Sequence, residues 1–364
     1  MKVLRVINSL AIGGAETSIA NNVPIHKANG IDMDVLLLDG TRTRFLDELQ
    51  QHGVKVSWLG RGINLYNPLL VLKLLPIFRD YDLIHVHLFP ALYWVAFAKL
   101  LSRSKAKLVY TEHSTHNRRR DRFAFRLLDR LVYSQYTAII AISDATKLAL
   151  DEQVGMPGKS VVIPNGVQIA NLRRSSATLP NSLATKIRGR KVLVQIAGFR
   201  PVKDQDTTIR ALTELPEDYV VIFVGDGERR MICEDLAVEL GVDNRVFFAG
   251  LQGDVAPFIN CADLVVISSH WEGFGRAAVE GMALGKPVVA SNVSGLSGVV
   301  GGAGRLFDVG NYKGLAKMTL ELMDDQVAYA EASENSRARA EEYDVSFMIK
   351  GYERVYTSIL KDSV

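Results

Sequence analysis

Two carboxylates eight residues apart, Glu272 and Glu280, border the glycine-rich run Glu272-Gly273-Phe274-Gly275, and Gly285-Lys286-Pro287 and the apolar stretch Val288-Val289-Ala290 follow. Carboxylates accept hydrogen bonds from sugar hydroxyls, and backbone N–H groups at the positive end of a helix dipole hold phosphate, so this layout suits a sugar carrying phosphate. The same spacing also arises from an ordinary loop acid and a solvated helix face, and taken alone it leaves both readings open. A second group of candidates lies upstream. Arg200 and Lys203 share the turn Gly198-Phe199-Arg200-Pro201-Val202-Lys203-Asp204. A guanidinium fork and an ammonium point charge together match a diphosphate. Two surface cations would be the plainer account, but cations at a helix start oppose the helix dipole, which favours an anionic partner there.

These residues need elements to hold them. Ala262 to Ser269 reads as a buried strand with a polar exit, and residues 274 to 284 as a helix, which leaves Glu272 in the connecting loop and puts Glu280 about two turns along, near the Glu272 face. Lys191 to Ala197 is a strand feeding the Arg200 turn. Tyr219 to Val224 is another, ending in Gly225-Asp226-Gly227-Glu228, and Arg245 to Ala249 a third, ending in Gly250. Repeated strand, glycine turn and helix units specify a parallel, doubly wound α/β sheet, in which ligands bind at the carboxyl ends of the strands.

The order and spacing of Gly198-Phe199-Arg200-Pro201-Val202-Lys203, Val224-Gly225-Asp226-Gly227, Phe248-Ala249-Gly250 and Glu272 through Ser291 resemble the C-terminal domain of family-4 retaining glycosyltransferases. The first half is similar to the same enzymes in Gly13-Gly14-Ala15-Glu16, His85-Val86-His87, Thr111-Glu112-His113, Ala141-Ile142-Ser143-Asp144 and Val162-Ile163-Pro164-Asn165-Gly166-Val167. The resemblance spans nearly the whole chain. It implies the GT-B fold, two Rossmann-like doubly wound parallel-sheet domains facing each other across a cleft. It also implies transfer of a sugar, with retention of configuration, from a nucleotide diphosphate to a hydroxyl of a glycan or lipid-linked acceptor in cell-surface polysaccharide synthesis. A uridine diphosphate sugar is the first expectation for the donor and guanosine diphosphate mannose the second.

The resemblance distributes roles by position. Arg200 and Lys203 would stabilise the departing diphosphate, Glu280 would bind the ribose hydroxyls, and Glu272 with the amides of Gly273, Phe274 and Gly275 would hold the sugar. His113 would help to place that sugar. Gly13 and Gly14, opening a helix after the first strand, would contact the diphosphate, and Gly225 and Gly227 would border the donor. As a residue pattern, the Gly13-Gly14 pair is equally a plain tight turn, and His87 could be a second cleft residue or a satisfied core histidine. Phe199, Trp271 and Arg276 are candidates for sugar and acceptor choice, and Asn165-Gly166 for shaping the entry to an interdomain hinge. No Asp-x-Asp pair stands in a suitable loop, so neither a metal nor any other cofactor is expected, and the nucleotide sugar is a substrate. Two rivals share parts of this pattern: a nucleotide-sugar 2-epimerase, which needs acids for elimination chemistry, and a non-catalytic nucleotide-sugar-binding protein. Arg200, Lys203, Glu272 and Glu280 together argue against the latter.

Composition bounds the same answer. A chain of 364 residues exceeds one ordinary core, and 48% hydrophobic with 23% charged residues is typical of a soluble globular protein. The stretch Arg173 to Asn181 breaks periodicity, so we expect domains at 1–170, for the acceptor, and 171–344, for the nucleotide sugar, with a helix over about 345–364 packing back on the first. Cys233 and Cys261 lack metal-ligand spacing and read as free buried thiols in a reducing compartment. Leu88 to Leu101 is too short to span a bilayer and reads as a core helix, while Arg5 and Asn8 interrupt any signal-like core, which places the expected protein in the cytosol. The net charge is only +3, yet residues 117–135 carry six Arg against two Asp with Phe123, Phe125, Leu127, Leu128, Leu131 and Val132 between them. Such a helix either docks on an anionic membrane, on the inner face of the plasma membrane, or packs its apolar stripe on the sheet with the Arg solvated. Nucleic acid is not an expected partner, because no recognised motif or aromatic-rich basic face accompanies the charge.

Overall fold

The computed structural model describes residues 1–11, 13–115, 123–155 and 158–361. The chain divides into two compact units, Met1–Gly166 with Val345–Val364, and Val167–Asp344. Local contacts fix the first crossing at 166/167, four residues before the expected 170/171. The Gly166 N–H donates to Met348 Sδ at 3.2 Å, and a Cβ on Gly166 would lie 2.5 Å from Val345 Cα. The Val167 N–H instead donates to Tyr343 O at 2.9 Å.

The first unit holds seven parallel strands, β1 (Lys2–Ile7), β2 (Asp32–Asp39), β3 (Val56–Gly60), β4 (Leu83–His87), β5 (Lys107–Glu112), β6 (Ala138–Ala141) and β7 (Ser160–Val162), in the order β3-β2-β1-β4-β5-β6-β7. The second holds six, β8 (Lys191–Ile196), β9 (Tyr219–Val224), β10 (Val246–Gly250), β11 (Leu264–Ile267), β12 (Val288–Ser291) and β13 (Arg305–Phe307), in the order β10-β9-β8-β11-β12-β13. Both are doubly wound. In each, successive strands first build outward from one side of the opening strand and then return to its other side, so β1 lies beside β4 and β8 beside β11. Ligands bind open α/β sheets at that switch point, beyond the carboxyl ends of the strands.

Strands buried on both faces read as continuous apolar runs, as in Tyr219-Val220-Val221-Ile222-Phe223-Val224, which is buried throughout. One face of the first sheet uses Leu4, Val6, Ile84 and Val86 against the Ala91–Leu101 helix, the expected core helix. The other face uses Val3, Ile7 and Leu83 against Ile19 and Val23 of the Gly14–Ala28 helix and Met348, Tyr352 and Tyr356 of the Val345–Lys361 helix. Of the basic segment, the helix Phe123–Ser134 is described, and residues 117–122 lie outside the described residues. Its Val132 and Tyr133 are buried in the core that covers the sheet, and Asp129 is buried where it accepts from Tyr93 and Gln153 of the neighbouring helices, whereas Leu127 and Leu131 are about half exposed. Among the described residues no helix is long and apolar enough to cross a membrane. Cys233 is free and fully buried; Cys261 is also free but only partly buried, a correction to the reading of both thiols as buried.

Candidate functional site

In the second unit, the residues at the end of β8 and those at the end of β11 meet. After β8 the chain makes a short 3-10 turn, Pro201–Lys203, and Asp204 turns it into the Gln205–Ala211 helix with a left-handed backbone at φ +46. For a residue with a side chain this conformation costs on the order of 1 kcal/mol. Several interactions hold Asp204 there: its carboxylate accepts from Thr207 Oγ1 at 2.7 Å, and Ser268 Oγ donates to its carbonyl at 2.7 Å. Burial pushes the Asp204 carboxyl above its usual pKa. Gln195, buried at the end of β8, donates to Lys203 O at 2.9 Å and accepts from Thr208 Oγ1 at 2.7 Å. The backbone that carries Lys203 is thus fixed from three sides, and its ammonium reaches Glu272 Oε1 in an ion pair that crosses the β8/β11 switch point. Ser269 Oγ donates to the same oxygen at 3.2 Å.

Glycine is required in the loop after β11. Gly275 has φ +80 and precedes the Arg276–Ala283 helix, and the loop packs so closely on the Ser294–Val300 helix after β12 that a Cβ on Gly295 would lie 2.0 Å from Glu272 O. The N–H groups of Phe274, Gly275, Arg276 and Ala277 make no hydrogen bond within the described residues, so the helix presents a row of donors at its positive end. On that helix, Arg276 Nε holds Glu280 Oε1 at 2.7 Å, with both side chains largely buried. Glu280 Oε2 has no partner among the described residues. Arg200 is exposed and forms no ion pair among them.

The first unit gathers its polar residues at the β1/β4 switch point. Side chains alternate along a strand, so Arg5 on β1, His85 and His87 on β4 and Thr111 on β5 share one sheet face, with register pairs Arg5↔His85 and His87↔Thr111. His87 Nδ1 lies 3.0 Å from His113 Nε2, and His87 Nε2 lies 2.9 Å from Arg5 Nη1. Arg5 Nη2 is 3.3 Å from His26 Nε2, and His26 Nδ1 is 3.2 Å from Glu353 Oε1. Burial, and secondarily the Arg5 charge, lowers His113 to about 4 and His26 to about 2, and holds His85 and His87 well below the usual imidazole range. Glu112 fixes the backbone of His113: its Oε1 accepts from the N–H groups of His113 and Ser114 at 3.1 and 3.2 Å, and its Oε2 from the Tyr133 hydroxyl at 3.0 Å.

The two halves of the sequence reading fare differently in this geometry. Arg200, Lys203, Glu272, Gly273, Phe274, Gly275 and Glu280 all follow β8 or β11, although Lys203 and Glu272 pair with each other rather than standing as separate groups. Phe274 offers its N–H alone, since its ring is buried edge-on against Tyr343 at 5.3 Å. Gly225 and Gly227 have their N–H groups engaged, by Gly250 O at 2.9 Å and Asp226 Oδ1 at 2.8 Å. Their lack of a side chain lets the end of β9 lie against the Gly198 turn, where a Cβ would come within 2.1 Å of Ala197 O or 2.5 Å of Phe199 O. Phe199, a candidate for substrate choice, is fully buried and packs with Phe223 and Phe248. It is a core residue. Trp271 is half exposed, while Arg276 is committed to Glu280. Gly13 is extended rather than left-handed at φ −169, and the N–H groups of Gly13 and Gly14 make no hydrogen bond within the described residues. His87 is both buried and joined to His113. The sequence reading missed Arg5, His26 and Glu353. A charged residue in the middle of an otherwise apolar strand, with two histidines at period-2 spacing in another, was the available signal.

Residues 12–171 match the family model described as Glycosyltransferase Family 4, and residues 184–339 the one described as Glycosyl transferases group 1. Among solved structures, Anabaena Alr3699/HepE in complex with UDP and glucose is 26% identical, with a TM-score of 0.86 over 98% of this chain and 100% of that one. Among curated proteins, the N-acetyl-alpha-D-glucosaminyl L-malate synthase of Bacillus anthracis is 30% identical over 177 residues, 47% of this chain and 46% of that protein. The D-inositol 3-phosphate glycosyltransferase of Thermobispora bispora is 29% identical over 315 residues, 77% of this chain and 71% of that protein. The match to the first of these curated relatives therefore spans about half its length.

Proposed function

Because this chain belongs to the family 4, group 1 glycosyltransferases and carries their GT-B fold, we propose that it is a retaining glycosyltransferase using a nucleotide-diphosphate sugar. A uridine diphosphate sugar is the first choice, which the UDP and glucose held by the similar Anabaena protein support, and guanosine diphosphate mannose the second. The acceptor in this proposal is a hydroxyl of a glycan or lipid-linked acceptor in cell-surface polysaccharide synthesis. The observation that carries this reading is the Lys203–Glu272 pair at the β8/β11 switch point, beside the unbonded N–H groups that open the Arg276–Ala283 helix. There an anion can take Lys203 while a sugar hydroxyl takes Glu272, so a charged donor replaces an existing pair instead of meeting an unpaired charge.

In this proposal the second unit binds the donor and the first binds the acceptor. Arg200 and Lys203 hold the diphosphate, and the amides of Gly13 and Gly14 in the first unit are candidates for a phosphate contact. Glu280, steadied by Arg276, accepts from the ribose hydroxyls through Oε2. Glu272 with the N–H groups of Phe274 and Gly275 holds the sugar, Gly225 and Gly227 border the donor, and His113 helps to place it. The anomeric carbon to phosphate-oxygen bond breaks as the acceptor oxygen bonds on the same face, and the leaving diphosphate takes the acceptor's proton. Arg200 and Lys203 neutralise the developing charge, so the proposal includes no metal, and EDTA should leave turnover unchanged. Full loss restored by Mg²⁺ would overturn that part.

The test is thermal shift with UDP, GDP and UDP-glucose, followed by the anomeric configuration of the product. A ligand at about 100 times its Kd adds roughly 2.7 kcal/mol. No shift with any nucleotide, or an inverted product, would refute the reading. We also propose contact with an anionic membrane through residues 117–135, and the exposed Leu127 and Leu131 of the Phe123–Ser134 helix support it. Equal flotation with neutral and acidic vesicles would remove that electrostatic account.

A further inference from the structure

Arg5 is a buried cation without a carboxylate. It is 1% exposed, its guanidinium lies 4.9 Å from the Tyr352 ring centre, and its terminal nitrogens meet two imidazoles. Charges are rarely buried this way unless the site needs them, because desolvation without an ion-pair partner is expensive. Its consequence follows from donor and acceptor chemistry. A guanidinium only donates. The nitrogens facing Arg5, His87 Nε2 and His26 Nε2, must therefore present lone pairs, and the single proton of each ring sits on Nδ1. His87 Nδ1–H faces His113 Nε2 at 3.0 Å, so that nitrogen must accept, and His113 carries its own proton on Nδ1. On the other branch His26 Nδ1–H donates to Glu353 Oε1 at 3.2 Å. One cation sets the direction of every hydrogen bond in the row Glu353, His26, Arg5, His87, His113. At its end, His113 Nδ1 makes no hydrogen bond among the described residues.

We propose that Arg5 is a positioning residue which, through His87, fixes His113 as the neutral Nδ1–H tautomer and leaves it a hydrogen-bond donor with no basic nitrogen free for a ligand. The inference deepens the proposed function and rests on its placement of His113 beside the donor sugar. There His113 would donate to an oxygen of the sugar or its phosphate, and it would take no proton from the acceptor. That leaves the departing diphosphate as the proton's destination. Burial and the Arg5 charge both oppose a second proton on His113 and keep the donor form in place at neutral pH.

The experiment is two-bond nitrogen–proton NMR of the ¹⁵N-histidine-labelled full chain at pH 7, which reports which ring nitrogen carries the proton and needs no catalysis. His26, His87 and His113 should each be neutral with Nδ1 protonated. In His87→Phe, which keeps a ring in the core but breaks the relay, His113 should gain the Nε2–H form that free imidazole prefers in water. His113 as Nε2–H or as imidazolium in the unaltered protein would overturn the inference, as would an unchanged His113 tautomer in folded His87→Phe. Should that variant not fold, the spectrum of the unaltered chain decides alone. Kinetics of His113→Ala separate this inference from the reading beneath it. Unchanged kcat/KM there would dismiss the placement of His113 at the donor while the tautomer result stood on its own.

Discussion

The two switch points share a topology and differ in electrostatics. At β1/β4 a single buried cation is held by imidazoles, with its carboxylate, Glu353, one histidine removed. At β8/β11 two cations, Lys203 and Arg276, each sit directly on a carboxylate, with side chains 10–25% exposed. A partly exposed ion pair can exchange one partner for a ligand of the same sign at little net loss, because both charges stay paired throughout. The buried row in the first unit cannot rearrange that way, since each hydrogen bond dictates the next. The comparison teaches that one sheet topology can carry an adaptable charge cradle in one unit and a rigid, neutral donor in the other.

The largest expected effects would break the comparison at the cradle. Arg200→Ala or Lys203→Ala should lower kcat/KM by about two orders of magnitude or more, at roughly 1.36 kcal/mol per tenfold, with thermal unfolding little changed. Near-normal turnover in both variants would mean that the second unit holds no diphosphate. A smaller effect should sharpen the picture within the same cradle, dividing the two glutamates by roughly ten- to a hundredfold each, the range for hydrogen bonds to a charged group. Glu280→Ala should chiefly raise donor KM, because the ribose is unchanged by reaction, and Glu272→Ala should chiefly lower kcat. Calorimetry with UDP lacking a sugar should show weakened binding in the Glu280 variant and little change in the Glu272 variant. The reverse order would exchange their roles.

A different kind of effect concerns the first unit and acts on stability rather than on turnover. His26, His85 and His87 are buried and neutral when folded, with pKa values depressed below 6.5, so the unfolded chain binds more protons than the folded chain as pH falls below that value. Stability should therefore be full above about pH 6.5 and decline below it, by up to about 1.36 kcal/mol per pH unit for each such histidine. Urea titrations at pH 7, 6 and 5 measure this. A midpoint that stays constant across that range would contradict the buried neutral row.

Strand by strand, much of the architecture was legible before folding. The runs ending in Gly198, Gly225 and Gly250 announce strands because apolar stretches of that length, closed by glycine, have few other solutions. The turn around Arg200 and the loop around Glu272 could likewise be read as strand-end segments, and the structure puts both at the β8/β11 switch point. Phe199 could not be placed: in a turn sequence an aromatic ring can point to ligand or to core, and only the packing of Phe223 and Phe248 against it decides. Gly225 and Gly227 are expected beside the donor from their position, and the close approach of the neighbouring Gly198 turn is a separate demand for glycine that the sequence did not show.

What the sequence determined by itself was local: the alternation of strand, turn and helix, the residues at strand ends, and the family pattern they form, all set by propensity and short-range spacing. What only the tertiary structure decided was partnership across long separations. Lys203 finds Glu272 69 residues away because β11 returns beside β8, and Arg5 finds His87 82 residues away because β4 returns beside β1. Strand order arises from which apolar faces bury together, and no local signal encodes it. The protonated nitrogen of His113 is decided further still from its own position, by a guanidinium that reaches it only through a neighbouring ring.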